Sequence, residues 1–336
     1  MTTRRRFVSV VACCSALGPL QTALAAPSVA PTVWRGSALG AAASMTLVHP
    51  DRDKARARLE ACVQEVERLE SVFSLYRTDS ALSRLNAQGR LDAPPQELLE
   101  LLSFALSLSQ RSGGAFDPSV QPLYRLYADH FAQPGAAPGG PSAQAVAAAR
   151  RLVDFSAVEL RPGRIRLRPG MGLTLNGVAQ GFITDRVAQL LRDDGFDNVL
   201  IDLGEARALG HRPGGAPWRA AIADPRQPGA TLFELSLGEA PGAWPALATS
   251  AGSGTRFGSD PRLHHLLDPL SGRSANHYQS VSVVAARAML ADGLSTTLSV
   301  AAPDRAAQVL ASYPSARAFL LDATGRLSAL GAAAAA

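Results

Sequence analysis

A chain of 336 residues, with 47% hydrophobic and 18% charged residues, is long enough for one large domain or two smaller ones around a sizeable core. Its net charge of +5 depends on arginine, because Lys54 is its only lysine. This composition excludes a phosphate loop ending in Gly-Lys-Ser/Thr, a Schiff-base lysine and a lysine-rich nucleic-acid surface. The arginines are scattered along the chain, so we expect no nucleic-acid partner.

The first 26 residues have the pattern of an export signal. Residues 3–8, Thr-Arg-Arg-Arg-Phe-Val, fit the twin-arginine motif, an apolar run continues to Leu20, and 23–25 (Ala-Leu-Ala) is a suitable cleavage site. An uncleaved anchor helix is the alternative, although Gly18 and Pro19 interrupt the run below the length that spans a bilayer. The pattern therefore predicts twin-arginine export and a periplasmic location.

The remainder is predicted to form one folded domain from 34 to 330, after a tether at 27–33 and before an alanine tail at 331–336. If the signal is cleaved, Cys62 is the only cysteine left, so no internal disulfide can form. We interpret Cys62 as a core position of a helix.

Hydrophobic periodicity predicts a mixture of helices and strands. Helices are predicted at 51–73, 81–86, 95–112, 142–152 and 288–300. A further helix is predicted to continue from the stretch 174–185 to about residue 194. Strands are predicted at 45–48, around 158–160 and 165–167, and at 199–203, 217–225, 232–237, 280–286 and 318–322. Polar or small-residue loops are predicted at 74–80, 132–141 and 248–254. This order predicts an α+β fold with mixed sheets and flanking helices.

The stretch 174–185 has a glycine-containing turn between an apolar segment and a helix. Gly177 and Gly181 would let a ligand or another backbone approach closely. The helix N-terminus could offer N–H groups to a phosphate, although such glycines more often serve packing. The stretch is not Gly-x-Gly-x-x-Gly, so a Rossmann site is not indicated.

A second informative stretch runs from His265 to Thr296. Asp292 and Thr296 lie four residues apart on the helix predicted at 288–300, so their oxygens share one face. A carboxylate beside a hydroxyl suits a hard cation such as Mg²⁺. His265 could meet that face, and a histidine beside an oxygen-ligated cation is the minimum for phosphoryl transfer. Alone, such a pair is more often surface decoration and such a histidine more often structural.

Six short stretches, taken in order, resemble the ApbE family of FAD:protein FMN transferases. They are 74–86, 113–118, 175–185, 249–250, 265–272 and 291–296. The resemblance covers roughly residues 34–330. Within it, 176–181 and 203–208 look most like the NosX-type branch, which is associated with nitrous-oxide reductase maturation.

The resemblance implies an enzyme that binds Mg²⁺ as cofactor and FAD as substrate. Such enzymes cleave the FAD pyrophosphate, join FMN to a threonine or serine hydroxyl of an exported flavoprotein, and release AMP. It also implies a single α+β domain with an FAD cleft between sub-lobes, and a NosR-like membrane flavoprotein as acceptor. The alternatives are an FAD pyrophosphatase and a non-catalytic flavin-binding or chaperone protein; retention of His265, Asp292 and Thr296 disfavours the last.

The resemblance also implies roles for individual residues, carried over by position. Asp292 and Thr296 would be metal ligands together with the carbonyl of Gly177, and Ser295 would add an oxygen. His265 would be the base, because histidine titrates near neutral pH. The neighbouring His264 should point elsewhere if the segment is extended. The FAD site would include Leu39, Tyr76, Ala115, Phe116, Asp117, Thr174, Gln180 and Leu266, with simple packing as the alternative for Tyr76 and Phe116.

Overall fold

The computed structural model describes residues 29–227 and 229–332. The predicted signal at 1–26 and the start of the predicted tether lie outside the described residues. The helices are α1 (Arg52–Phe73), α2 (Ala81–Gln88), α3 (Gln96–Ser112), α4 (Gln121–Ala132), α5 (Ala143–Arg150), α6 (Ala179–Asp193), α7 (Ala288–Val300) and α8 (Pro303–Ala311). The strands are β1 (Thr32–Ala38), β2 (Ala41–Leu47), β3 (Arg90–Asp92), β4 (Glu159–Arg161), β5 (Arg164–Arg166), β6 (Val199–Asp202), β7 (Ala206–Leu209), β8 (Trp218–Ala223), β9 (Thr231–Leu237), β10 (Ala246–Ala251), β11 (Tyr278–Ala285), β12 (Arg317–Asp322) and β13 (Leu327–Leu330). In this part of the chain, no helix combines the length and apolarity needed to cross a bilayer.

Short-range signals set the ends of the predicted helices. The Asp51 carboxylate accepts a hydrogen bond of 2.9 Å from the Lys54 N–H, so α1 starts at the next residue after Asp51. The helix α3 ends where Gly113 adopts a φ of 61°, which glycine tolerates better than other residues. The predicted boundaries of α7 agree with the structure at both ends.

An eight-stranded sheet organises the molecule, in the order β1-β2-β6-β7-β10-β11-β12-β13. Every pair of neighbouring strands in it is antiparallel, as are the pairs in the small sheets β3-β5-β4 and β8-β9. The predicted α+β class is confirmed. The prediction that the sheets are mixed was wrong, because the paired strands are antiparallel. Tight hairpins join β1 to β2, β6 to β7 and β12 to β13. These pairs are antiparallel because a hairpin reverses the chain direction.

Side chains on the two faces of the large sheet pack into two separate hydrophobic cores. The helix-side core joins Ile201, Val283 and Leu320 of the sheet to apolar residues of α1, α3, α6 and α7. The hairpin-side core lies on the opposite face, beneath the β8-β9 hairpin. Its buried members are Leu200, Ala206, Ala208, Trp218, Ala220, Ile222, Leu237, Leu247 and Val284. Neighbouring residues such as Val283 and Val284 enter different cores, as the period of two in a strand requires.

A third, smaller apolar group, the α4 cluster, packs beside the sheet. Leu123, Tyr127 and Leu267 are buried in it, and Tyr124 and Phe257 pack against them. It joins α4 to the segment that carries the two adjacent histidines, and forms a small lobe beside the helix-side core.

Two predicted segments differ from the structure. Strand β1 begins at Thr32, inside the predicted tether, and pairs with β2, which includes the strand predicted at 45–48. The loop predicted at 248–254 is largely strand β10, followed by a short 3₁₀ turn at Gly252–Gly254. Its alanines and hydroxyl residues lack a strong apolar alternation, but pairing with β7 and β11 fixes it as a central strand.

Candidate functional site

One cavity opens between the helix-side core and the α4 cluster. Five of the six stretches that define the family resemblance contribute to its lining, and only 74–86 does not. The lining comprises Ala115, Phe116, Asp117, Val120, Tyr124, Thr174, Asn176, Gly177, Gln180, Gly204, Glu205, Thr249, Ser250, Ala251, Gly254, Thr255, His265, Leu266, Leu267, Pro269, Asp292, Thr296 and Val300. Residues separated by up to 185 positions in the chain therefore converge on one space.

Helix α7 places Asp292 and Thr296 one turn apart on the cavity wall. A Cβ built on Gly177 would lie 2.9 Å from the Thr296 hydroxyl, so the backbone there approaches the helix as only glycine allows. The Asp292 carboxylate is 3% exposed, and burial raises its pKa to about 7. The i, i+4 spacing predicted that Asp292 and Thr296 share a face, and the family resemblance added Gly177 to the group.

Helices α6 and α7 cap one another at this crossing. The Gly181 N–H in the first turn of α6 donates to Asp292 Oδ2 at 3.0 Å. In return Asp185 of α6 accepts from the N–H groups of Ala288 at 2.9 Å and Met289 at 3.1 Å, in the first turn of α7. The Gly181 N–H, at the helix N-terminus that the sequence could offer to a phosphate, is thus bonded to a side chain of the chain itself. This pair of caps fixes Asp292 against α6.

Ser295 does not line the cavity, although the family resemblance made it a candidate metal residue. Its hydroxyl is fully buried, donates to the Asp292 carbonyl at 2.9 Å and lies 2.8 Å from Ser250 Oγ. Ser250 Oγ in turn lies 3.3 Å from Thr296 Oγ1. Ser250 therefore connects Ser295 to the cavity, and it had no individual role in the sequence prediction.

The donor atoms at this wall fit a magnesium ion. Asp292 offers a carboxylate, Thr296 a hydroxyl and Gly177 a backbone carbonyl, and all three residues line the cavity. Such an all-oxygen set suits Mg²⁺ or a similar hard cation. In the described ranges, no group of three or more His, Cys, Asp or Glu residues is arranged to hold a metal.

His265 lies on another side of the same cavity and is half-buried. Its Nδ1 is 3.2 Å from the Thr255 carbonyl, which can only accept, so Nδ1 carries the proton of that hydrogen bond. The neutral ring then has its proton-accepting lone pair on Nε2. His264 is 3% exposed, lies against Gly252 and does not line the cavity; burial lowers its pKa. The two ring centroids are 6.4 Å apart, but only the His265 ring faces the cavity.

Six of the eight residues proposed for FAD contact line the cavity: Ala115, Phe116, Asp117, Thr174, Gln180 and Leu266. The Asp117 carboxylate is largely engaged in local structure, because it accepts hydrogen bonds from the N–H and hydroxyl of Ser119 and from the N–H of Phe155. Burial nevertheless raises the pKa of Asp117. Gln180 Nε2 donates to the Leu203 carbonyl at 3.3 Å.

The other two, Leu39 and Tyr76, do not line the cavity. Leu39 forms the β1-β2 turn with a φ of 47°, and its N–H donates to the Glu70 side chain. Tyr76 lies in the turn after α1 with 69% of its surface exposed. Both residues lie in turns, and the sequence alone did not show where these turns would lie relative to the cavity.

Glu205 is a cavity residue to which the sequence assigned no role. It lies in the β6-β7 turn, directly before β7, and only 7% of its surface is exposed. The stretch 203–208 was noted only as a sign of the family branch. A glutamate directly after a buried strand and a glycine was the available signal for a buried carboxylate.

A model of the ApbE family matches residues 39–320. The chain belongs to the ApbE family. Two curated relatives bear the name FAD:protein FMN transferase. The one from Treponema pallidum is 31% identical over 292 residues, which cover 79% of this chain and 78% of the relative. The one from Klebsiella pneumoniae is 29% identical over 302 residues, covering 86% of this chain and 84% of the relative.

Solved ApbE structures share this fold. The flavin transferase ApbE from Vibrio cholerae superposes with a TM-score of 0.76 at 26% identity, covering 90% of this chain and 98% of that one. The apbe protein from Thermotoga maritima gives a TM-score of 0.75 at 25% identity, with coverage of 90% and 97%. The α+β ApbE fold predicted from the sequence is therefore confirmed.

Proposed function

We propose that this ApbE-family chain is a Mg²⁺-dependent FAD:protein FMN transferase. It moves FMN from FAD to a threonine or serine hydroxyl of another protein and releases AMP. The observation that carries the proposal is the convergence of His265 with Gly177, Asp292 and Thr296 in one cavity. The name shared by the relatives from Treponema pallidum and Klebsiella pneumoniae supports the same reaction.

The cavity residues match the bonds that change. The acceptor oxygen forms a bond to the phosphorus of the FMN half, and the bond from that phosphorus to the bridging oxygen breaks, so AMP leaves. The acceptor hydroxyl must lose a proton, and His265 Nε2 accepts it while the Thr255 carbonyl holds the ring in position through Nδ1. The proton is later released to solvent.

Gly177, Asp292 and Thr296, which line the same cavity, would hold the magnesium ion. A bound Mg²⁺ offsets negative charge on the phosphate oxygens. Ser250 orients the Thr296 hydroxyl, and the Gly181 N–H orients the Asp292 carboxylate. Ala115, Phe116, Asp117, Thr174, Gln180 and Leu266 surround the space for FAD.

The proposal extends to the place of action and the acceptor. The twin-arginine motif at 3–8 and the cleavage pattern at 23–25 support export to the periplasm. Similarity of 176–181 and 203–208 to the NosX-type branch supports a role in maturing a respiratory flavoprotein of nitrous-oxide reduction, with a NosR-like protein as acceptor.

The test incubates the purified protein with FAD, Mg²⁺ and a NosR-like flavoprotein domain. We expect a fluorescent acceptor band on a denaturing gel, equimolar AMP, and loss of both in EDTA. Asp292→Ala should give no Mg²⁺-dependent turnover. His265→Ala should still bind FAD, as measured by flavin fluorescence, but its transfer rate should fall by at least about 100-fold because the proton acceptor is lost.

His211→Ala is the matched control, because His211 is an exposed histidine outside the cavity. It should transfer flavin at the wild-type rate. Transfer by His265→Ala at the wild-type rate would refute the assignment of the base. AMP with free FMN and no labelled band, for several acceptor domains, would favour the pyrophosphatase, in which water takes the place of the hydroxyl.

A further inference from the structure

Glu205 is a buried carboxyl group at the cavity wall whose role the proposed reaction leaves open. It immediately precedes β7, in the tight turn where Gly204 adopts a φ of 100°. One carboxyl oxygen accepts a hydrogen bond from the Thr249 N–H, at the point where β10 extends past its pairing with β7. The other oxygen, Oε2, is buried without a hydrogen-bond partner among the described residues.

An unpaired oxygen of this kind is unfavourable in a folded protein. Burying a carboxylate without a compensating charge or donor costs several kcal/mol. The charged groups that act on Glu205 are Asp292 and Asp202, and both are negative. Burial and these neighbours raise the pKa of Glu205 well above its usual range. Among the described residues, Glu205 therefore has negative neighbours and no positive one at this wall.

Two structural links place Glu205 beside the proposed cation site. Its donor Thr249 is followed by Ser250, whose hydroxyl lies 3.3 Å from Thr296 Oγ1. On the other side, the Gln180 side chain packs against Gly204 and bonds to the Leu203 carbonyl. The next residue of α6, Gly181, donates to Asp292. The residue pairs 249–250 and 180–181 thus connect Glu205 to Thr296 and to Asp292, respectively.

We infer that Glu205 is a second carboxylate ligand of the cation proposed at Asp292, Thr296 and Gly177, either directly or through one water of its coordination shell. The inference rests on the proposed function for the existence of that cation. It explains why Oε2 is left without a protein donor, and why two acidic side chains converge on a cavity that must receive an anionic substrate. Mg²⁺ keeps several waters in protein sites, so either mode of contact suits it.

A cation site with two carboxylates should behave differently from a site with Asp292 alone. Two carboxylates neutralise a divalent cation before FAD enters the cavity, and affinity for such ions rises with the number of charged ligands. The protein should therefore bind the cation without flavin. A site with Asp292 as its single carboxylate would depend more strongly on the FAD phosphates for its affinity.

The experiment measures Mn²⁺ binding to flavin-free protein, by the electron paramagnetic resonance signal of free Mn²⁺ and by calorimetry. Glu205→Gln keeps the shape of the side chain and an acceptor for the Thr249 N–H, but removes the charge. We expect it to weaken Mn²⁺ binding by about tenfold or more. Asp292→Asn should weaken it at least as much, and near-UV circular dichroism checks that each variant is folded.

Asp202→Asn is the matched control. Asp202 is another acidic residue of the same turn, but it does not line the cavity, and its carboxylate accepts from the Gly204 N–H at 3.3 Å. This variant removes a nearby negative charge without removing a cavity oxygen. It should bind Mn²⁺ with an affinity close to wild type.

Three results would overturn the inference, each in a distinguishable way. Wild-type affinity in Glu205→Gln together with loss in Asp292→Asn would leave the proposed cation site intact and remove Glu205 from it. Equal weakening in Asp202→Asn and Glu205→Gln would show a long-range charge effect in place of ligation. Wild-type affinity in Asp292→Asn would refute the cation site of the proposed function, and the role of Glu205 with it.

Discussion

Asp292 has two roles that conflict when no cation is bound. Its carboxylate caps α6 through the Gly181 N–H, yet it is buried near other acidic groups. Burial raises its pKa from an ordinary 3.8 to about 7. A carboxyl group whose pKa is raised by folding binds its proton more tightly in the folded state. Its contribution to stability is therefore complete below about pH 4 and is lost as the pH rises through about 7.

Asp292→Asn should remove this pH dependence from the cation-free protein. In EDTA at pH 8, the variant should exceed wild type in free energy of unfolding by up to about 4 kcal/mol, since three pKa units correspond to roughly that much. At pH 4 the two proteins should be nearly equally stable, because the wild-type carboxyl is then protonated. Urea unfolding at both pH values, followed by circular dichroism, measures the difference.

Asp197→Asn, at an exposed acidic residue, is the control and should follow the wild-type curve. If wild type and Asp292→Asn were equally stable at pH 8 in EDTA, the carboxylate would carry no burial cost. Loss of the Asp292 carboxylate is also expected to abolish turnover, so this position would exchange stability for function, as active-site residues often do.

Between elements, the contact that positions the site is the crossing of α6 and α7 at Gly181. A Cβ there would lie 2.4 Å from the Ala288 carbonyl oxygen and 2.7 Å from the Met289 Cα. Both are backbone atoms, so a side-chain rotation cannot relieve the overlap. The two helices would have to move apart at the point where Asp292 and Asp185 cap them.

Gly181→Ala should therefore lower the free energy of unfolding by about 3 kcal/mol, despite the better helix propensity of alanine. It should also weaken Mn²⁺ binding, because Asp292 loses its fixed position. Urea denaturation and Mn²⁺ titration measure the two effects. Gly163→Ala is the control, because no atom lies within 4 Å of a Cβ there, and it should leave both quantities almost unchanged. Wild-type stability in Gly181→Ala would mean that the helices do not meet this closely.

The same pair of helices shows what sequence could and could not predict. The limits of α7, and the shared face of Asp292 and Thr296, follow from periodicity within one element. The cap from Gly181 to Asp292 joins residues 111 positions apart, and local sequence carries no signal for such a bond. Strand β10 was missed for a related reason: its small residues have weak intrinsic preference, and its partners β7 and β11 decide its conformation.

The sequence also could not predict where the turns between elements would lie. Leu39 and Tyr76 lie in turns whose positions depend on how the first hairpin and α1 pack, so matching their motifs could not show whether they face the cavity. Glu205 shows the opposite case. Its motif indicated no role, because burial and an oxygen without a partner among the described residues are properties of the fold and not of the local sequence.

At the scale of the whole molecule, the large sheet separates the site from a second core. Asp292, Thr296 and Ser250 belong to the face covered by α6 and α7, whereas the β8-β9 hairpin covers the other face. Trp218 anchors that hairpin: it is 5% exposed, and its Nε1 donates to the Leu209 carbonyl at 2.9 Å. The architecture therefore predicts that stability and catalysis can be changed separately from the hairpin side.

Trp218→Phe should lower the free energy of unfolding by about 1–3 kcal/mol, since it removes this hydrogen bond and leaves a small void beside the Leu209 carbonyl. Trp218→Ala should cost about 3–5 kcal/mol, the range for large aromatic truncations in a core. At a temperature where Trp218→Phe remains folded, its affinity for Mn²⁺ and its rate of AMP release should equal those of wild type. Urea unfolding and the two site measurements on the same sample provide the comparison.

Leu298→Ala is the counterpart on the site side, because Leu298 is fully buried in α7 two residues after Thr296. It should lower stability by about 2–5 kcal/mol and also weaken Mn²⁺ binding, because the helix that carries the ligands would repack. A Trp218→Phe protein that is stable but impaired in Mn²⁺ binding would show that the sheet transmits changes between its faces. Equal effects of the two substitutions on the site would lead to the same conclusion, because a rigid antiparallel sheet should keep the two cores independent.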